Sequence, residues 1–222
     1  MNKFYVIGIG YRPLDEKASR IIEKSDLILA TERLFEVFKR YREFEDVKER
    51  LKITSNIHET VEYIRGNYHK ENISVLADGD PMLFGFGGLI LKEFEKDAFE
   101  ILPDLSSIQV AFSKIKEPWG DAFLMSLHGG PDPKKRRELK YEAGDILKLL
   151  DVHDKIAVLT DRFNNPSKIA QTLLQASAGD IRIYVCELLG YPGEKITEGS
   201  PEEISSDAFS YPNVVIILNK RG

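Results

Sequence analysis

Loops rich in Asp, Gly, Pro and Ser follow three apolar, strand-like runs in the first half of the chain. They occupy residues 8–10 (GIG), 78–81 (DGDP) and 103–107 (PDLSS). Loops of this kind present backbone groups and small polar side chains at the carboxyl ends of strands, where open α/β sheets bind their ligands. Three of them in one half of the chain predict an enzyme that acts on a small molecule.

The first loop has more than one interpretation. Gly8 and Gly10 after a strand, with Glu32 about 20 residues on, are typical of a dinucleotide-binding turn. The position where that fingerprint needs its third glycine is Pro13. The alternatives are a nicotinamide- or flavin-binding oxidoreductase, glycines that only permit a tight turn, and a different nucleotide-like ligand held by backbone atoms.

The second loop offers carboxylates. Pro81 has no N–H to give to a sheet and Gly79 permits a strained turn, which leaves carbonyls and the carboxylates of Asp78 and Asp80 available to a ligand. Such a lining suits an ammonium group, a pair of hydroxyls or a metal. Two aspartates with no His or Cys nearby make a poor transition-metal site, so we predict no protein-bound metal. A plain turn is the alternative.

The remaining polar candidates have ordinary structural interpretations as well. Ser106 and Ser107 are typical helix caps, and no Gly-x-Ser-x-Gly surrounds them, which argues against a hydrolase nucleophile. His128 ends a strand and is a lone histidine. The run KKRR at 134–137 is either a solvated face or a partner for carboxylates of an anionic substrate.

Composition narrows the classes of function. The 222 residues are 42% hydrophobic and 30% charged, with a formal net charge of −5, so no overall basic field attracts nucleic acid. The single cysteine, Cys186, lies in an apolar run and is expected to be a buried strand thiol. We find no signal peptide and no apolar run of membrane-spanning length, and therefore expect a cytoplasmic protein.

Hydrophobic periodicity predicts two α/β lobes, residues 1–117 and 118–222, with a ligand cleft between them. The break falls at the KEPWG sequence, and residues 42–52 are expected to form a surface connection. The predicted strands cover residues 3–9, 26–30, 73–77, 99–102, 122–127, 156–160, 181–188 and 213–218. The predicted helices cover 14–25, 31–41, 57–68, 83–95, 141–150 and 166–177, with another starting at 106.

The order of these segments resembles a known family. The most specific pieces are SSIQVAF at 106–112, PW at 118–119 and SLHG at 126–129. ELLG at 187–190 matches the C-terminal signature, together with Glu194, Ile196 and Gly199, and RL at 33–34 fits a position after the second strand. The chain thus resembles the tetrapyrrole (corrin/porphyrin) methyltransferase family, and within it the C5-methylating group of cobalamin biosynthesis.

Three departures from the family pattern stand out. Tyr11 and Arg12 follow Gly10 where the family usually has Pro-Gly, Gly130 replaces an arginine, and Asp78 replaces a serine. Arg12 or the KKRR run is our hypothesis for the missing guanidinium.

The resemblance implies a two-lobed homodimer that binds S-adenosylmethionine in the cleft beside a (cobalt-)precorrin. Methyl transfer to an electron-rich ring carbon needs no enzyme nucleophile and no metal. The family's donor-binding positions carry over to Gly8, Gly10, Gly79, Asp80, Pro81, Ser106, Ser107, His128, Gly129, Leu159 and Thr160. The cations expected to meet substrate carboxylates are Arg12, Arg33, Lys134, Lys135, Arg136 and Arg137.

Several points stay open at this level. Asp104 and His128 are candidates for a base that removes the proton after transfer, and neither is singled out. A related enzyme carries a C15-methylating, decarboxylating domain, so a separate partner is expected for that step. Alternatives are another methyltransferase of the same superfamily, the oxidoreductase above, or a non-catalytic binding module. Whether the substrate contains cobalt is not encoded in the pattern.

Overall fold

The computed structural model describes residues 3–129, 139–174 and 180–219. The chain divides into two compact units, residues 1–106 and 107–222. The division falls ahead of the boundary expected at 117/118, because the helix that starts at Ser107 contacts the last strand of the second unit. The Lys134–Arg137 run and Gly130 lie outside the described residues.

The first unit is built on a five-stranded parallel sheet of order β3-β2-β4-β1-β5. Its strands and helices alternate along the chain, which gives the crossover connections that parallel strands require. The strands are β1 Phe4–Ile9, β2 Leu27–Thr31, β3 Leu51–Thr54, β4 Ile73–Asp78 and β5 Phe99–Leu102. The helices are α1 Glu16–Lys24, α2 Glu32–Phe38, α3 Phe44–Val47, α4 Ile57–Asn67 and α5 Gly87–Glu93.

The two central strands of this sheet, β1 and β4, are nearly continuous apolar runs because helices cover both faces. Their register places Gly8 opposite Ala77 and Ile9 opposite Asp78. Strand β5 pairs with the other side of β1, with Leu102 opposite Ile7. The carboxyl ends of β4, β1 and β5 therefore lie side by side, and so do the loops that follow them.

The second unit contains a mixed five-stranded sheet of order β6-β7-β10-β8-β9. Strands β6 and β7 are parallel, whereas β10 is antiparallel to both β7 and β8. The strands are β6 Phe123–Ser126, β7 Lys155–Leu159, β8 Ile181–Glu187, β9 Lys195–Gly199 and β10 Asn213–Asn219. The helices are α6 Ser107–Ile115, α7 Asp145–Leu150, α8 Pro166–Leu174 and α9 Pro201–Ser206.

Some predicted elements differ from the structure. The segment 42–52 lies largely at the surface, as expected, but it is not a plain connection: it contains α3, a 3₁₀ turn at Lys48–Arg50 and the start of β3. Strand β9 and helix α9 were not predicted. The helix expected from residue 83 begins only at Gly87.

Cys186 is fully buried in β8, as predicted, and burial raises the pKa of its thiol to about 12. None of the helices in the described ranges is both long and apolar enough to cross a membrane.

Candidate active site

Three loops of the first unit meet at the carboxyl ends of β1, β4 and β5. The backbone N–H of Gly79 donates to the Ile9 carbonyl at 2.9 Å, and the N–H of Asp104 donates to the Gly79 carbonyl at 3.1 Å. The loop after β4 is thus hydrogen-bonded to both of its neighbours. The structure brings together the three loops that the sequence predicted to bind a ligand.

Two glycines make this convergence possible. A Cβ atom on Gly8 would lie 2.6 Å from the Asp104 nitrogen and still closer to the Gly79 carbonyl oxygen. Gly79 has φ +51°, and a Cβ there would lie 2.7 Å from the Leu105 carbonyl oxygen. Both contacts are with backbone atoms, which cannot rotate away, so the loops can approach this closely only without side chains at these positions.

Asp104 organises the first and third loops. Its carboxylate accepts hydrogen bonds from the backbone N–H groups of Tyr11 at 2.7 Å, Arg12 at 3.2 Å and Leu105 at 2.7 Å. The Arg12 Nε donates to the same carboxylate at 2.8 Å. The Asp104 side chain is only 4% exposed, and these four N–H groups compensate for the burial of its charge.

The first loop has few donors left for an anion. The Gly10 N–H donates to the Tyr41 hydroxyl at 2.6 Å, and the next two N–H groups are bound by Asp104. The following helix, α1, is capped by the Asp15 carboxylate, which accepts from the Ala18 N–H. A dinucleotide turn instead directs its N–H groups and helix N-terminus at a diphosphate. Two carboxylates at these positions argue against that ligand and favour a cationic one.

The second loop presents a carboxylate that is partly exposed. One oxygen of Asp80 accepts from the Met82 N–H at 2.9 Å, while the other has no partner among the described residues. Pro81 is buried, and its carbonyl accepts from the Gly87 N–H at 2.8 Å. Asp78, at the end of β4, forms an exposed ion pair with Arg33 on α2. Asp80 therefore keeps one oxygen for an ammonium or sulfonium group.

The two predicted serines are adjacent in sequence, Ser106 as the last residue of the first unit and Ser107 as the first residue of the second. Ser106 is buried, and its Cα is 3.5 Å from the position a Cβ on Gly79 would take. Ser107 is the first residue of α6. The third loop thus contacts the second loop just before the helix begins.

The predicted positions in the second unit also come together. The His128 Nδ1 lies 3.3 Å from the Thr160 carbonyl oxygen, and the Leu127 N–H donates to the Leu159 carbonyl at 2.8 Å. The Thr160 hydroxyl is buried and donates to Asn213 at the start of β10. These contacts place His128, Gly129, Leu159 and Thr160 at one edge of the second sheet.

Asp161 holds this cluster and was not singled out from the sequence. It is buried, and its carboxylate accepts from the N–H groups of Gly129 at 2.9 Å, Phe163 at 2.8 Å and Asn164 at 2.7 Å. The Asn164 side-chain amide donates to the Leu127 carbonyl at 2.8 Å. Asp161 lies two residues after the end of β7, just as Asp104 lies two residues after the end of β5. This position is a signal that could have identified Asp161 from the sequence.

A cavity of about 490 Å³ lies beside this cluster in the second unit. Its lining includes Asp161, Asn213 and the cation Arg162, whose guanidinium lies 5.9 Å from the centre of the Tyr211 ring. Sequence reasoning gave Arg162 no role.

Comparison with known proteins decides the family. Residues 3–205 match the family model of the tetrapyrrole (corrin/porphyrin) methylases. The chain belongs to this family. It is 32% identical to the probable cobalt-precorrin-7 C(5)-methyltransferase of Methanocaldococcus jannaschii over 219 residues, 96% of each chain. The predicted resemblance, and with it the assignment as a methyltransferase, is confirmed.

Two further tetrapyrrole methylases are similar. The precorrin-6Y C(5,15)-methyltransferase [decarboxylating] of a Sinorhizobium species is 32% identical over 125 residues, which cover 56% of this chain and 28% of that one. The crystal structure of a cobalamin-biosynthesis precorrin-6Y methylase from Archaeoglobus fulgidus superposes with a TM-score of 0.71 at 22% identity, covering 99% and 98% of the two chains. The latter likeness confirms the α/β fold class of this methylase.

Among the described residues, no group of three or more His, Cys, Asp or Glu side chains is placed to hold a metal ion. The donor set of the first unit consists of carbonyls and carboxylates, which fit the positively charged methyl donor of such a methylase better than a transition metal.

Proposed function

We propose that this methylase transfers the methyl group of S-adenosylmethionine to C5 of a cobalt-precorrin in cobalamin biosynthesis. The observation that carries the proposal is the convergence of three loops in which the N–H groups of residues 10–12 are already bound, while one carboxylate oxygen of Asp80 has no partner among the described residues. Relatives whose names state C5 methylation match 96% and 56% of this chain.

The donor supplies an activated methyl group, so the protein's contribution is to hold the two reactants. Asp80 has a carboxylate oxygen for the donor's cationic end, and Gly8 and Gly79 allow a ligand to approach the backbone closely. The proposed donor site also includes Gly10, Pro81, Ser106, Ser107 and the cluster from His128 to Thr160. Correct placement of two reactants can lower a barrier by roughly 7–11 kcal/mol, which suits a site without a nucleophile.

A base is needed for the proton that leaves C5 after transfer. Asp104 is a poor candidate, because four N–H donors occupy its oxygens. His128 is the other candidate: its Nδ1 lies 3.3 Å from the Thr160 carbonyl oxygen, which can only accept, so Nδ1 is the donor in this contact. We therefore favour His128.

The test is turnover of ¹³C-methyl S-adenosylmethionine with cobalt-precorrin-7, with the labelled carbon located by NMR. We expect the label at C5, tight binding of S-adenosylhomocysteine, and no binding of NAD. Methylation at another carbon would reassign the chain within the family, whereas NAD binding would support the oxidoreductase alternative.

Asp80→Asn tests the donor site directly. Loss of a charged hydrogen bond costs about 1.5–3 kcal/mol, so affinity for S-adenosylhomocysteine should fall roughly 10- to 100-fold. Asp97→Asn, an exposed aspartate in the first unit, is the matched control. Equal affinities in both variants would remove Asp80 from the site.

Four expectations stay predictions. They are the homodimer, the cytoplasmic location, the ligand cleft and the separate C15-methylating, decarboxylating partner.

A further inference from the structure

We propose that Asp104 is a positioning residue that holds the guanidinium of Arg12 in one orientation to bind a carboxylate of the macrocycle. This inference rests on the proposed function, because it assigns a partner to the acetate or propionate groups of that substrate. It also gives Asp104 a role other than that of a base.

Among the described residues, the guanidinium of Arg12 forms hydrogen bonds through one of its edges, that of Nε and Nη2. The Arg12 Nε donates to Asp104 Oδ1 at 2.8 Å, and Nη2 lies 3.4 Å from the Pro103 carbonyl oxygen. Nη1 has no partner among the described residues, and the Arg12 side chain is 55% exposed although Asp104 is buried. The terminal edge formed by Nη1 and Nη2 is therefore left for a second, external carboxylate.

Arginine suits this double role and lysine does not. The planar guanidinium has donors on two edges in a fixed geometry, so it can bind one carboxylate through Nε and another through its terminal nitrogens. Asp104 Oδ2 also accepts from the Tyr11 and Arg12 N–H groups, which fixes the backbone from which the arginine extends. Both the backbone and the side chain of Arg12 are thus oriented before a substrate arrives.

The pair is also linked to the proposed donor site. The Asp104 N–H donates to the Gly79 carbonyl, and the Leu105 N–H donates to the Asp104 side chain. A change at Arg12 should consequently affect the macrocycle alone, whereas a change at Asp104 should affect both the macrocycle and the loops around the donor.

The experiment measures Kd for S-adenosylhomocysteine, Kd for cobalt-precorrin-7 by absorbance titration, and kcat and KM for methyl transfer. Arg12→Gln should raise the macrocycle Kd and KM at least tenfold, with kcat and the S-adenosylhomocysteine Kd changed less than twofold. Arg12→Lys should bind the macrocycle better than Arg12→Gln, but it should recover less than half of the difference in log Kd between Arg12→Gln and the wild type. Arg20→Gln, an exposed arginine on α1, should behave as the wild type.

Asp104→Asn supplies the test of positioning. It should raise the macrocycle Kd, and the double variant Arg12→Gln/Asp104→Asn should bind the macrocycle no more weakly than the weaker single variant, because both changes remove the same contact. Additive losses would overturn the inference, as would a macrocycle Kd within twofold of wild type in Arg12→Gln.

The folding of the variants and the proposed function are checked separately. Asp104→Glu, which keeps the charge, covers the case in which Asp104→Asn fails to fold. It should leave the macrocycle Kd closer to wild type than Arg12→Gln does, and an equal or larger loss would count against positioning by the carboxylate. The binding titration needs no turnover, so it tests the role of Arg12 independently of the reaction. If the macrocycle binds but is methylated at another carbon, the C5 assignment is refuted, and the comparison of Arg12→Gln with the wild type still decides the role of Arg12.

Discussion

Replacement of Gly8 by alanine should damage the site and the first unit together. The added methyl group would lie 2.6 Å from the Asp104 nitrogen and closer still to the Gly79 carbonyl oxygen, both of them backbone atoms of neighbouring loops. Those two atoms are the donor and acceptor of the hydrogen bond that joins the loops, at 3.1 Å. The methyl group would therefore force apart the loops that form the proposed donor site.

The size of the effect follows from these contacts. Overpacking a well-packed site by one carbon costs about 1–3 kcal/mol. Loss of the hydrogen bond between Asp104 and Gly79 adds about 1 kcal/mol. We expect Gly8→Ala to lower the free energy of unfolding by about 2–4 kcal/mol and to weaken binding of S-adenosylhomocysteine at least tenfold.

The assay is urea unfolding followed by far-ultraviolet circular dichroism, with calorimetric titration of S-adenosylhomocysteine. Gly66→Ala is the matched control, because Gly66 lies in α4, is exposed and has nothing within 4 Å of its would-be Cβ. That change should leave binding intact and stabilise the protein by up to about 1 kcal/mol. A Gly8→Ala variant with wild-type stability and affinity would refute the close approach of the loops.

Three further predictions concern charge and reactivity. Burial alone would raise the pKa of Glu43, but hydrogen bonds from Arg42 and Ser19 outweigh this effect and leave the pKa below the usual 4.5. The ionised carboxylate therefore stabilises the fold above pH 4.5. This contribution is lost as the pH falls through the lowered pKa. Glu43→Gln should flatten the acid-side loss of stability in urea midpoints measured against pH, and slopes equal to those of the wild type would contradict this. Cys186 should resist a thiol reagent at pH 8 in the native state and react in urea, because it is buried and its pKa is raised to about 12; fast native labelling would show that β8 opens. Alanine at two positions of 134–137 should weaken macrocycle binding and spare the donor, and equal loss of both would count against a substrate role.

Sequence reasoning located the central strands, which are buried on both faces, and the edge strands β5 and β6, but it missed the edge strands β3 and β9. The central strands β1, β4 and β10 are short continuous apolar runs, the pattern typical of strands buried on both faces of a sheet. Strands β3 and β9 lie at the edges, pair on one side only and keep several side chains exposed, so their composition resembles that of loops.

Helix α9 had a local signal that could have identified it. Ser200 caps the helix, Glu203 bonds back to the Ser200 N–H, and Pro201 occupies the first turn. Serine followed three residues later by glutamate is a capping box, and proline at the first helical position strengthens it. The helix is only six residues long, too short for a hydrophobic period to show.

The candidate site could be predicted from sequence at the level of loops but not of contacts. The glycines and aspartates at strand ends identified the loops at residues 8–10, 78–81 and 103–107. No local pattern indicates that the Tyr41 hydroxyl binds the Gly10 N–H, or that Asp104 binds the backbone of residues 11 and 12. These partners are far apart in sequence: the pairing of β1 with β5 aligns Asp104 with residues 11 and 12, and the chain after α2 brings Tyr41 to Gly10.

Both units use the same means to fix the loops that follow a strand: a buried aspartate after β5 in the first unit and after β7 in the second. Asp104 and Asp161 each lie two residues after the end of a strand, β5 or β7, and each buries a carboxylate that binds at least three N–H groups of nearby loops. Replacing either by alanine would leave those N–H groups unsatisfied, at about 1–3 kcal/mol for each group that stays buried. Methyl transfer from an activated donor needs no nucleophile, so its rate depends on how closely the loops hold the reactants. Buried aspartates that orient loops before ligands bind are therefore expected to matter more for this chemistry than any group that touches the methyl.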